Sequence, residues 1–522
     1  MLKAFFTALL FLFAASFSKA QSKIDVLQYR YQLTLSDASD TLKGTASIRF
    51  RFLENTKRVF LNLASVREGK GMQVYRVAAH DTTISFTHVH DSLLINLPAE
   101  YKKNAVQTLT INYAGIPADG LIIAKNKWGE RTFFGDNWPN RAQQWLPCND
   151  RPDDKATVAF IVTAPAQYSI ISNGILVDET VINPQQKLTE WNQQTPIPTK
   201  VMVIGAARFA VKQYPDSSVT PVSAWVFPKD SSNGFYDYAL AQEIVKFFTG
   251  YIGPYPFQKL ANVQTKTIFG GMENASAIFY AENSVTGDRR SEALLAHEIA
   301  HQWFGNAATE KSFAHLWLSE GFASYLTHMY LEQKYGRDTL LKRLEADRLE
   351  VIQFSSQWPK PVVDSLSALM DLLNANSYQK GSWVLHMLRC EVSDTVFKKI
   401  IQTYYQHYAY SNADTWAFEK VAEDVSGKDL KDFFQQWLFT PGIPVLHIQP
   451  KFDVDSTTIT IRQRHGLFHF PIEIGFVQAD GKMQKETIAV REKVTRFIFK
   501  KRGIKNIVVD PDKRLLYADV HP

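Results

Sequence analysis

From Ile24 the chain alternates between apolar and polar side chains. Tyr29, Tyr31, Leu33 and Leu35 are interleaved with Arg30, Gln32, Thr34 and Ser36, the period of a strand with one wet face. Similar runs follow at 58–63 (RVFLNL), 92–97 (SLLINL), 107–113 (QTLTINY) and 157–164 (TVAFIVTA), separated by Asn, Asp, Gly and Pro. They predict a β-rich region reaching to about residue 205. Near residue 234 the period lengthens: in FYDYALAQEIVKFFTGYI, Tyr238, Ala241, Ile244, Val245 and Phe248 fall on one helical face. Helical patterns then dominate from 290 to 440, in LLAHEIAHQWF, LWLSEGFASYLTHMYLEQKY, GSWVLHMLRCEV, DTVFKKIIQTYYQHY and LKDFFQQWLF, until TPGIPV stops them. Short alternating runs resume in TITIRQR, IEIGFV, TRFIFK and KNIVV. The expected fold class is multidomain α+β, with a β domain over 21–205, a mainly α domain over 206–440 and a small β domain over 441–522.

Composition agrees with a large folded protein. The 522 residues are 45% hydrophobic and 21% charged, enough for several cores. The formal charge of +6 is modest for this length. No Lys/Arg-dense block suggests nucleic acid, and KKRGIK (500–505) reads as a solvated turn between strands. The first twenty residues, MLKAFFTALLFLFAASFSKA, differ from the rest. A positive start, a short apolar run and Ser18-Lys19-Ala20 fit an export signal cut after Ala20, with an uncleaved anchor as the alternative. The expected location is periplasmic or secreted, with no membrane span remaining after removal. Cys148 and Cys390 fall in different predicted domains and are expected to be unpaired.

The chemistry concentrates at 297–301, HEIAH. Two histidines four apart share a helix face, and a glutamate between them stands beside whatever they hold. A catalytic zinc needs three protein ligands and an open position. Glu320, in LWLSEGFASY, follows His301 with eighteen residues between them and supplies a carboxylate. His315 is a rival ligand, although five residues before Glu320 it leaves the ligand face and reads as a polar residue at the helix start. One Zn2+ on His297, His301 and Glu320 is the simpler reading, since burying these groups without an ion is costly. Glu298 then acts as general base, and a tyrosine phenol is a suitable oxyanion donor. Upstream lies GGMENASAIFY (270–280). Its glycines permit close approach of a backbone. Glu273 sits in a nearly uncharged run, where it either meets a cation such as a free α-amino group or, in a Gly-turn, caps a helix or points at water.

GGMEN, then HEIAHQWFGN, then WLSEGFASY resembles the M1 family of zinc aminopeptidases. WLPCNDRPDDKAT (145–157), GPYPFQK and WLFTPGIPVL are similar to further family segments, and the resemblance covers essentially the whole chain after residue 20. It implies a saddle-like N-terminal β-sheet domain, a thermolysin-like catalytic domain and a small β-sandwich-like C-terminal domain. Zinc on His297, His301 and Glu320 is implied, with Glu298 as base. Glu273 would bind the substrate's free amino terminus, and Gly270, Gly271 and Met272 would offer backbone groups. Tyr378, in SYQKGSWVLHML, resembles the family's oxyanion tyrosine, the alternative being a core aromatic. The implied partners are peptides with a free N-terminus; the oligomeric state is not legible.

Three positions depart from the family pattern. Asn137 and Trp138 stand about where relatives carry a Gln or Glu that helps hold the amine and shape the first pocket. His315 replaces a frequent Asp, and the large C-terminal helical array of many relatives is expected to be absent. An epoxide hydrolase, a thermolysin-like endopeptidase that does not need Glu273, and a non-catalytic peptide-binding protein on the same fold are the competing readings.

Overall fold

The computed structural model describes residues 23–215 and 220–519; the predicted export signal lies outside them. The alternation at Tyr29–Leu35 becomes the strand Ile24–Thr34, with Tyr29, Tyr31 and Leu33 buried, and Leu35 buried just beyond it. This strand lies inside an eight-stranded sheet. Its neighbours are Leu42–Phe52, antiparallel, and Lys155–Pro165, parallel. The runs at 107–113 and 157–164 are strands of the same sheet, and those at 58–63 and 92–97 pair in a separate three-stranded one. A four-stranded sheet containing Arg131–Gly135 and Ile204–Ala207 completes the N-terminal β domain.

The middle of the chain is helical, as its period predicts. Ser231–Tyr238 and Leu240–Tyr251 form two helices rather than one, with Tyr238, Ala241, Ile244, Val245 and Phe248 all buried. Helices follow at Glu292–Ala300, Trp317–Tyr335, Arg337–Gln357, Gly381–Val392 and Asp394–Tyr408. This region also holds a five-stranded mixed sheet, which the sequence reading did not anticipate. Its central strand Leu260–Thr265 is buried at every position, so it shows no alternation to read. Another difference is that the helix bearing HEIAH ends at Ala300, short of Phe304, and the chain turns through His301–Trp303.

The C-terminal strands form sheets of four and three strands. Ile459 and Ile461 from one, and Ile472, Ile474 and Phe476 from the other, are buried in a core shared with the helical domain. Lys500–Gly503 is the turn between strands Val494–Phe499 and Ile504–Val509. Cys148 and Cys390 are free thiols. Among the described residues, no helix is long and apolar enough to cross a membrane.

Candidate active site

The helix Glu292–Ala300 presents His297 on its last turn, and His301 at its C-cap keeps helical backbone angles (φ −58°, ψ −23°). Four residues apart, both imidazoles therefore leave the same face. The helix Trp317–Tyr335 brings Glu320 to them from its first turn, where the helix dipole favours a carboxylate. Glu320 Oε2 lies 3.3 Å from His297 Nε2 and 3.2 Å from His301 Nε2, and the two nitrogens are 3.1 Å apart. One donor atom from each residue falls within 4.8 Å of the others. Two imidazole nitrogens and one carboxylate oxygen converging this closely suit a zinc ion with an open position. His301 is oriented through Nδ1, which faces the Phe304 carbonyl at 3.2 Å and Ser319 Oγ at 3.1 Å, the outer contacts a ligating histidine uses.

His315 is not part of this cluster. It sits in the short turn Phe313–His315 with Nδ1 2.9 Å from Thr415 Oγ1, the satisfied polar role expected of it.

The cluster opens on a cleft of about 260 Å3, also lined by Gly270, Gly271, Met272, Glu273, Glu298 and Tyr378. All nine sequence-predicted site residues thus meet at one place. Gly271 passes so close to Glu298 that a Cβ there would collide with its carboxylate. Burial pushes the Glu298 carboxyl well above the usual range; Glu273 and Glu320 add to this, and His301 opposes it. At Glu320 burial acts in the same direction, but the imidazoles outweigh it and hold that carboxyl low. Tyr378 stands in a five-residue π-helical turn, Asn376–Lys380, a geometry frequent at functional sites. Its ring stacks on His297 (centroids 5.9 Å, interplanar angle 14°). Burial, then the Glu320, Glu273 and Glu298 carboxylates, raise its phenol well above 10, so at neutral pH it is a donor.

Glu273 is buried, and its Oε1 has no hydrogen-bond partner. Its backbone carbonyl accepts from Gln302 Nε2 at 2.9 Å and Asn306 Nδ2 at 2.6 Å. Sequence reasoning passed over both amides, although they stand within HQWFGN, the segment that begins at the cluster residue His301. Asn137, which departs from the Gln or Glu of relatives, does not face the cleft. Asn137 spends its amide on the carbonyls of Thr199 (3.2 Å) and Met202 (2.5 Å), and its Oδ1 accepts from Trp145 Nε1 at 2.8 Å. Trp138, by contrast, does line the cleft.

The profile of the Peptidase M1 N-terminal domain matches residues 26–201, and that of the Peptidase family M1 domain matches residues 236–437. The chain belongs to peptidase family M1. Similar proteins include a glutamyl aminopeptidase of Bitis rhinoceros, 30% identical over 457 residues covering 83% of this chain and 47% of the relative. Aminopeptidase M1 of Arabidopsis thaliana is 25% identical over 81% of this chain and 51% of its own length. Aminopeptidase M1-C of Oryza sativa subsp. japonica is 27% identical over 65% and 41%. The chain spans about half the length of these M1 relatives.

Proposed function

We propose that the protein is a zinc-dependent aminopeptidase that removes the first residue from peptides with a free N-terminus. The observation that carries this reading is the buried, unpartnered Glu273 Oε1 in the same cleft as the His297, His301 and Glu320 cluster. A buried carboxylate without a partner is costly, and a substrate ammonium removes that cost while setting the first peptide bond over the cluster. A carboxylate at this end of the cleft also distinguishes an exopeptidase from an endopeptidase, whose substrate would bring no cation there.

His297, His301 and Glu320 would hold the metal. A zinc ion bound there supplies Lewis-acid activation of water and of the scissile carbonyl. Glu298 takes the proton of the attacking water at its carboxylate and passes it to the leaving amine. Tyr378 donates its phenolic hydrogen to the oxygen on which negative charge develops. Gly270, Gly271 and Met272 offer peptide groups to the substrate backbone, and Gln302 and Asn306 fix Glu273 through its carbonyl. The glutamyl preference in the names of some relatives is not carried over, because among the described residues neither lysine nor arginine lines this cleft. We read residues 1–20 as an export signal and about 205 and 440 as the domain divisions.

The test pairs wild type with Glu273→Ala on aminoacyl anilides and their N-acetylated forms, with and without chelator. Cleavage of the free amines alone, abolished by chelator and reduced at least about thirtyfold by Glu273→Ala, is expected from the loss of a charge pair. Equal cleavage of blocked substrates would replace the reading with an endopeptidase, and no cleavage by zinc-loaded protein would replace it with a peptide-binding protein.

A further inference from the structure

One wall of the cleft is a tryptophan whose ring no hydrogen bond fixes. Trp138 lines the cleft beside Phe269, and its buried indole N–H has no acceptor. The ring lies instead between two phenyl rings. Phe269 meets it edge to face at 6.0 Å and 87°, and Phe313 at 5.8 Å and 75°, separations at which aromatic pairs attract beyond their shared burial. Each outer ring is backed by a cation. The guanidinium carbon of Arg141 is 5.7 Å from the Phe269 centroid, and Lys200 Nζ is 5.8 Å from that of Phe313, both within cation–π range. The order through space is Lys200, Phe313, Trp138, Phe269, Arg141.

Both cations are already neutralised. Lys200 Nζ donates to Glu310 Oε1 at 2.5 Å, and neither side chain is more than 1% exposed. Arg141 pairs with Asp136 and Asp119 and donates through Nε to the Trp138 carbonyl at 2.7 Å. Asp136 Oδ2 also accepts from Thr267 Oγ1 at 2.9 Å and the Ile268 amide at 3.2 Å. The Arg141 side of the wall is therefore tied down by hydrogen bonds, whereas the Phe313 side rests on Lys200 and packing.

We propose that Lys200 is a positioning residue that acts through Phe313 to set where the Trp138 ring stands, and so limits the bulk of the first side chain the cleft admits. The inference rests on the aminopeptidase reading above. The favoured substrates carry an uncharged first residue. Trp138, Phe269, Met272, Leu294 and Leu373 give the cleft apolar walls that would strip water from a charge without pairing it. Lys200 and Arg141 have no charge to spare for an acidic side chain.

The test uses the zinc-loaded full chain and the 4-nitroanilides of alanine, phenylalanine and glutamate. Lys200→Met/Glu310→Met removes both members of the buried pair together; Lys155, which Glu310 also faces, keeps the carbonyls of Asn306 and Ala307 as its partners. The ratio of kcat/KM for phenylalanine over alanine is expected to rise about three- to tenfold in the double variant, with kcat for alanine within about twofold of wild type, and further in Trp138→Ala. A ratio that moves in Trp138→Ala but not in the double variant overturns the role of Lys200; one that moves in neither overturns the wall itself. Glutamate cut as fast as alanine by wild type overturns the uncharged class. If wild type releases nothing from any free-amine substrate, the aminopeptidase reading falls instead. A crystal structure of the double variant then decides the clamp: a displaced Trp138 ring supports it and an unmoved ring overturns it.

Discussion

A Cβ placed on Gly321 would lie 2.9 Å from the backbone of Gly381. The helix that carries Glu320 and the start of the helix that follows Tyr378 therefore touch backbone to backbone. Each glycine is adjacent to site machinery: Gly321 follows the third cluster residue, and Gly381 closes the π-helical turn holding the tyrosine. Gly321→Ala forces the two apart. A loss of about 1–3 kcal/mol in stability is expected from overpacking, with a fall in kcat larger than any change in KM as Tyr378 moves away from the reacting carbonyl. Denaturant unfolding and steady-state kinetics measure the two, and an alanine variant with unchanged stability would show that the contact is not tight.

Tyr378→Phe isolates the phenol from the ring. The stack on His297 needs only the ring, although the phenol also hydrogen-bonds the Glu320 carboxylate, so melting temperature should stay near the wild-type value and bound zinc near one per chain. Loss of one oxyanion donor is worth about 10²–10³ in kcat. A variant that instead loses zinc or melts early would assign Tyr378 a supporting role in the fold.

The parts of the site that were legible in the sequence are those in which chemistry and local period coincide. His297 and His301 are one helical turn apart, and Glu320 opens a helix whose apolar pattern is plain, so their convergence needed only one helix to pack on another. Half-buried strands such as Ile24–Thr34 were legible for the same reason. What stayed hidden has no local period. Leu260–Thr265 is buried on both faces, and the helix Arg337–Gln357 buries only Leu340, Leu344 and Val351 among its 21 residues. Lys200 and Glu310 meet across 110 positions, and Asn137 turned out to serve three backbone and side-chain partners rather than a substrate. The first pairing joins the N-terminal region to the helical one and the second is made within the N-terminal region, and no window of sequence contains either.

Lys380 gives the fold a pH dependence. The side chain is fully buried, and its Nζ donates to the Gly442 carbonyl at 2.8 Å. Burial lowers its pKa from 10.5 to about 7. Between pH 7 and the unfolded value near 10.4, the unfolded chain binds the proton and the folded chain does not, so stability contributed by this group rises with pH. Below about pH 7 both states are protonated and the cost of burying the charge is felt in full. Lys380→Met should therefore be most stabilising relative to wild type at pH 6–7, with the difference shrinking toward pH 10. Melting temperatures across that range check it; a difference independent of pH would mean that Lys380 stays charged in the fold.

In the proposed mechanism Glu298 separates binding the metal from using it. It lies between two cluster residues on the same helix, yet the group of converging donor atoms consists of His297, His301 and Glu320. Its carboxylate instead faces the Gly271 backbone across the cleft. Glu298→Gln preserves shape and hydrogen-bonding capacity but cannot accept a proton, so turnover should fall by about 10²–10⁴ while zinc stoichiometry, measured by elemental analysis, stays at one per chain. His297→Ala should do the reverse in order of cause, losing zinc first and activity with it. Retention of turnover in Glu298→Gln would mean that another group accepts the proton of the attacking water. Loss of zinc in that variant would make Glu298 a ligand and leave the base unassigned.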